Sequence, residues 1–144
     1  MPAAWLLHPQ LDNDTAPVGD LPLCRVLLTR DANYPWLVLV PRRPGAVEII
    51  DLDAAARGQL MTEIASASRA LRDITGCDKL NVAALGNAVP QLHVHVIARR
   101  STDAAWPRPV WGVAPARPYD VHEMWQLIDT LRRDIPDLTD PRQD

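Results

Sequence analysis

From Gln91 to Arg100 the chain reads Gln-Leu-His-Val-His-Val-Ile-Ala-Arg-Arg, and with the two-residue period of a strand it has two very different faces. Leu92, Val94, Val96 and Ala98 fall on one side and Gln91, His93, His95 and Ile97 on the other. The apolar side demands a core. The other side sets two imidazoles and an amide in a row, roughly 6–7 Å apart at the rise of a strand. A neutral imidazole carries one nitrogen that accepts and one that donates, with an unperturbed pKa near working pH. It can therefore serve as nucleophile, proton shuttle or metal ligand. A single histidine on a half-buried strand is usually structural, but two on one face with Gln91 in line point to a site for a small anion or a metal ion.

The run Gln91 to Ile97 resembles the signature strand of the histidine-triad (HIT) superfamily of nucleotide hydrolases and transferases, His-φ-His-φ-His-φ-φ with φ apolar. The resemblance implies that His93 is the nucleophile toward the α-phosphorus of a nucleotide and that His95 donates to a non-bridging oxygen. Gln91 occupies the place of the first motif histidine. It can hold a hydrogen bond but can neither give nor take a proton at neutral pH. The resemblance further implies Asn81 and Asn87 as candidates beside the substrate phosphates; Asn87, next to Gly86, reads equally well as a turn residue. It implies an α+β fold of about five antiparallel strands with a long helix, a homodimer, and a reaction run by side chains, with no cofactor and no metal.

Length and composition suit this fold. A chain of 144 residues is one domain's worth, and 47% apolar with 23% charged residues is an ordinary globular balance. A net charge of -3 argues against a surface that coats nucleic acid, although Arg42 and Arg43, or Arg99 and Arg100, offer local positive charge. Cys24 and Cys77 lack the close spacing of a structural zinc site and read as free thiols. The N-terminal apolar run is too short for a signal peptide and no run approaches a membrane span. The expected location is the cytoplasm.

In chain order, residues 1–22 are rich in Asp, Asn, Pro and Gly and read as an irregular lead-in pinned by Trp5 or Leu6. Leu23 to Thr29 and Trp36 to Val40 read as a hairpin, followed by the loop Pro41 to Gly45. Val47 to Ile50 reads as a short edge strand or an extended lead. Asp51 or Asp53 offers an N-cap to a helix whose stripe is Leu60, Ile64, Ala67, Leu71 and Ile74, closed by Gly76. Lys79 to Leu85 is the next strand, and Gly86-Asn87 turns into the histidine strand. Segment 101–136 holds Trp106 and Trp111, each able to bury on the order of 200 Å² against the domain, a planar ligand or a second subunit. Its closing helix is capped by Asp120, with Val121, Met124, Trp125, Ile128 and Leu131 inward, and ends at Pro136. The polar tail from Asp137 reads as frayed.

Two other functions fit the same residues. His-x-His on one strand can offer two imidazoles to zinc in a metal-dependent hydrolase, given a remote third ligand. With Gln91 as a lesion, the chain can equally be a nucleotide-binding protein that has lost turnover.

Overall fold

The computed structural model describes residues 4–140. Five strands, β1 (Thr15–Asp20), β2 (Cys24–Thr29), β3 (Trp36–Pro41), β4 (Lys79–Ala83) and β5 (Val94–Arg99), form one antiparallel sheet in the order β1-β2-β3-β5-β4. A short helix α1 (Pro9–Asp14) precedes β1, the 22-residue α2 (Ala54–Thr75) links β3 to β4, and α3 (Val121–Asp134) follows the sheet. The expected α+β fold is present.

Helices α2 and α3 cover one face. Leu60, Ala67 and Leu71 of α2 and Met124, Ile128 and Leu131 of α3 pack on Val26, Leu28, Leu37, Leu39, Val94 and Val96. The opposite face holds Leu27, Trp36, Val38, Val40 and Ile97, partly covered by Leu11 and by Ala105 and Val110. Strand β3 is therefore buried at all six positions, which is why it reads as continuous apolar sequence rather than an alternation. Partial cover of the second face leaves a cleft over β3 and β5.

The lead-in is not irregular as its composition suggested: it contains α1 and β1. His8 caps α1 through its ring Nδ1, which accepts from the Gln10 N–H at 3.0 Å, and Pro9 opens the helix. Pro17 and Gly19 weigh against a strand by composition, yet both are tolerated because β1 is a sheet edge with a bulge between them. Gly19 is also required by close packing, since a Cβ there would stand 2.7 Å from the Thr139 carbonyl oxygen and 2.9 Å from Leu138 Cγ. The tail responsible is not frayed up to residue 140: Asp20 and Thr139 exchange backbone hydrogen bonds of 2.7 and 2.8 Å. The remaining tail residues lie outside the described ones. Trp5 packs on the second face under the Arg25 guanidinium, whereas Leu6 is exposed.

Other differences are local. Val47 to Ile50 leads into a 3₁₀ turn at Ile49–Asp51 because the Asp51 carboxylate accepts from the Val47 and Glu48 N–H groups. Asp53 is the cap of α2, accepting from Ala56 at 2.8 Å, and Gly76 at φ 61° ends the helix. Val121 is exposed, so the buried side of α3 is narrower than expected. Glu63, on the inner side of α2, is buried and accepts from the Leu23 and Cys24 N–H groups at 2.9 and 2.8 Å. This ties the helix to the start of β2, and burial pushes the Cys24 thiol pKa up. Both cysteines are free.

Candidate active site

Pairing places the site. Val38 lies opposite His95 and Trp36 opposite Ile97 across β3 and β5, so Trp36, Val38 and His95 share the second face. They line a cleft of about 650 Å³ with His93, Trp111 and the 85–89 loop. Asp14 and Thr15, at the end of α1, and Arg30 and Asp31 complete its polar wall.

The two imidazoles stand with ring centroids 5.0 Å apart, both buried, and each has one nitrogen committed to a fixed partner. His93 Nδ1 is 2.7 Å from the main-chain oxygen of Gln91. A carbonyl only accepts, so Nδ1 carries the proton and a neutral ring keeps its lone pair on Nε2. His95 Nδ1 accepts from the indole Nε1–H of Trp36 at 2.9 Å. Burial, and secondarily the neighbouring His93, lowers the His95 pKa to about 4, so the ring is neutral at working pH. Trp111 lies edge-on to both His95 and Trp36, at 5.0 and 5.6 Å between centroids.

The sequence-predicted residues divide here. His93, His95 and Asn87 line the cleft. Gln91 and Asn81 are not among its lining residues. The Gln91 side chain instead behaves like a peptide group: its Oε1 accepts from the His8 N–H and its Nε2 donates to the Leu6 carbonyl, both at 2.8 Å. With Gln91 held there and the Leu92 N–H donating to the Ala46 carbonyl, the strand ladder begins at Val94 rather than at Gln91. Asn81 Oδ1 accepts from Arg99 Nη1 at 2.8 Å. Nor do the expected arginine pairs meet the cleft, whose arginine is Arg30. Arg42 donates to the carbonyls of Leu21 and Pro22, Arg99 is buried, and Arg100 donates to the Thr75 carbonyl.

Gln91→Ala is expected to free residues 4–8, visible as faster amide exchange at His8 and a stability loss of about 1 kcal/mol, the scale of one partly buried hydrogen bond with an exposed one beside it. Gln91→Glu keeps the acceptor and loses the donor, so it should release Leu6 while partly retaining His8.

Trp36 and Asp31 were not singled out by sequence reasoning. Trp36 sits in what reads as ordinary core strand, and only its register with β5 marks it. Trp111, expected to pack because exposure of its ring is costly, closes on its own domain against Trp36 and His95.

A five-stranded antiparallel sheet bearing a paired-imidazole cleft on its second face, with the long helix on the other, defines an α+β protein of the HIT type. The HIT domain family model matches residues 10–102, and the chain belongs to this family. It is similar to a histidine triad protein from Bradyrhizobium japonicum, at 65% identity and TM-score 0.91 over 92% of this chain and 99% of that one. A histidine triad protein from Marinobacter aquaeolei VT8 is 41% identical, with TM-score 0.91 over 95% and 100% of the two chains. One from Sinorhizobium meliloti 1021 is 39% identical, with TM-score 0.88 over 90% and 96%. No curated protein matches the chain.

Proposed function

We propose that this protein is a nucleotide hydrolase or nucleotidyl transferase acting at the α-phosphorus of a dinucleoside polyphosphate or a nucleoside phosphoramidate. The observation that carries the reading is the 2.7 Å contact of His93 Nδ1 with the Gln91 carbonyl, which leaves Nε2 as the free lone pair. Attack by Nε2 forms a P–N bond as the P–O or P–N bond to the leaving group breaks. Water then attacks phosphorus and His93 departs with its electron pair. Splitting one displacement into two lowers each barrier. The ring is cationic while bonded to phosphorus, and the Nδ1–H to the carbonyl steadies that charge. His95 donates to a non-bridging oxygen as negative charge develops.

Gln91 supports this chemistry through its main-chain oxygen, with its amide committed to residues 6 and 8. It supplies no proton to the leaving group, which favours substrates whose leaving group departs without one, such as a nucleotide from a dinucleoside polyphosphate. Zinc-dependent hydrolysis finds less support, because among the described residues no group of three His, Cys, Asp or Glu side chains is placed to hold a metal ion. Acid-quench mass analysis during turnover of dinucleoside polyphosphates and phosphoramidates is the test. A nucleotidyl adduct on His93 is expected. Tight nucleotide binding with neither adduct nor product overturns the reading in favour of a non-catalytic binder.

The working unit is a homodimer joined along β4. That strand is the sheet edge on the side of β5, and Val82 on it and Met61 on α2 are exposed, an edge that invites pairing with a second copy. Sedimentation should give twice the chain mass, and Val82→Lys should shift it to one. No described helix is long and apolar enough to cross a membrane.

A further inference from the structure

We propose that Trp36 is a positioning residue that holds the single proton of His95 on Nε2, making His95 a permanent neutral donor to the substrate phosphate and keeping it out of proton transfer. The proposal rests on the phosphoryl-transfer reading for its purpose, but its structural core does not. An indole Nε1–H can only donate, so the ring nitrogen 2.9 Å from it must be an acceptor. In neutral His95 the proton is then on Nε2, and among the described residues no protein hydrogen bond is made by that nitrogen.

The geometry is over-determined. Trp36 and His95 are diagonal neighbours across β3 and β5, with rings 5.6 Å apart and inclined at 61°. Tyr34 packs edge-on to Trp36 at 6.4 Å, and Trp111 closes against both Trp36 and His95. Trp36 and His95 are 9% and 7% exposed, so the bond between them has little competition from water. A second proton on His95 would set two N–H groups face to face.

The consequence is that the two histidines are polarised in opposite senses by two neighbours that cannot change role. The Gln91 carbonyl makes His93 a lone-pair donor at Nε2, and the Trp36 indole makes His95 a proton donor at Nε2. One fixed acceptor and one fixed donor thus assign nucleophile and electrophile to otherwise identical side chains. The charged and titratable groups sharing the cleft with His95 are His93, Asp14, Arg30 and Asp31. On the other flank, β4 opposes His95 with Ala83, which carries no charge. The lowering of the His95 pKa by burial and by His93 acts in the same direction as the indole bond.

Nitrogen-15 NMR of the unliganded protein tests this without any substrate. The wild type should show an unprotonated His95 Nδ1, coupled through the hydrogen bond to Trp36 Nε1, and no titration of that ring between pH 5 and 8. In Trp36→Phe the coupling is lost and His95 should titrate at higher pH. A proton on Nδ1 of His95 in the wild type, or an unchanged titration in Trp36→Phe, overturns the proposal whatever the enzyme's activity. The wild-type spectrum stands even if the variant folds poorly. With a turned-over substrate, Trp36→Phe should lower kcat roughly tenfold or more with a smaller change in KM, and raise the acidic limb of the pH profile. In a His95→Ala background the same substitution should add little; full additivity would show that Trp36 does not act through His95. Failure of adduct formation on His93 would remove the catalytic purpose and leave the tautomer result standing.

Discussion

His93→Ala is expected to lower turnover of a dinucleoside polyphosphate by at least about three orders of magnitude while changing nucleotide affinity less than about tenfold. The asymmetry follows from what the ring does. In the ground state His93 contributes a small part of the lining of a 650 Å³ cleft whose walls also include Trp36, Val38, Trp111 and the 85–89 loop. In the proposed reaction its Nε2 is the atom that bonds to phosphorus. No neighbour can replace it, because His95 has its acceptor nitrogen taken by Trp36. His95→Ala should behave differently, weakening both binding and turnover, since its Nε2–H meets a phosphate oxygen in the ground state and holds it more strongly as charge develops in the transition state. Kinetics with a direct binding measurement on the same variants check the pair. Retention of turnover in His93→Ala would redirect the search to water activated elsewhere in the cleft.

This chain's structure is legible in its sequence where a pattern is local and hidden where a residue's role is set by a partner far along the chain. The α2 stripe, its Asp53 cap and Gly76 stop are local, as is the β2–β3 hairpin. The alternation from Leu92 to Ala98 revealed which way His93 and His95 face. By contrast, β1 looked like loop because Pro17 and Gly19 are strand breakers; their tolerance depends on an edge position and on a tail 120 residues later. Gln91 carries a polar group that can be read as catalytic, yet its amide is matched to the peptide groups of residues 6 and 8, which no spacing rule encodes. Asn81 had the right chemistry for a phosphate, but its oxygen belongs to Arg99. Trp111 lies beyond the segment matched by the HIT family model, so its contact with His95 could be found only in three dimensions.

Arg99 is the second point at which a large effect is expected. Its side chain is 1% exposed and that of Asp103 is 6%, and they are joined by a two-pronged bond, Nε to Oδ2 at 2.8 Å and Nη2 to Oδ1 at 3.1 Å. The remaining guanidinium nitrogen donates to Asn81, while Tyr34 and Trp106 place their rings 5.7 and 5.5 Å from the guanidinium carbon. Removing Arg99 leaves the buried Asp103 carboxylate with its backbone hydrogen bonds but without its cationic partner, so Arg99→Ala should cost about 3 kcal/mol, a large share of the ~5–15 kcal/mol that holds a domain together. Urea unfolding measures it. Burial alone would raise the Asp103 carboxyl, but hydrogen bonds from Arg99 and from the N–H groups of Arg100, Trp106 and Ala105 outweigh it and hold the pKa at about 2. A depressed carboxyl pKa adds stability above its ordinary value near 4 that disappears as pH falls through the folded value. The gap between wild type and Arg99→Ala should therefore narrow as pH drops from 4 toward 2. The effect also reaches the cleft: Asp103 accepts from the N–H groups of Ala105 and Trp106, anchoring the segment that ends on Trp111 against His95. Arg99→Lys, which keeps the charge and loses the fork, should retain the fold while loosening that segment. If the Trp36 device needs Trp111 to close it, His95 should exchange its ring proton faster in this variant than in wild type.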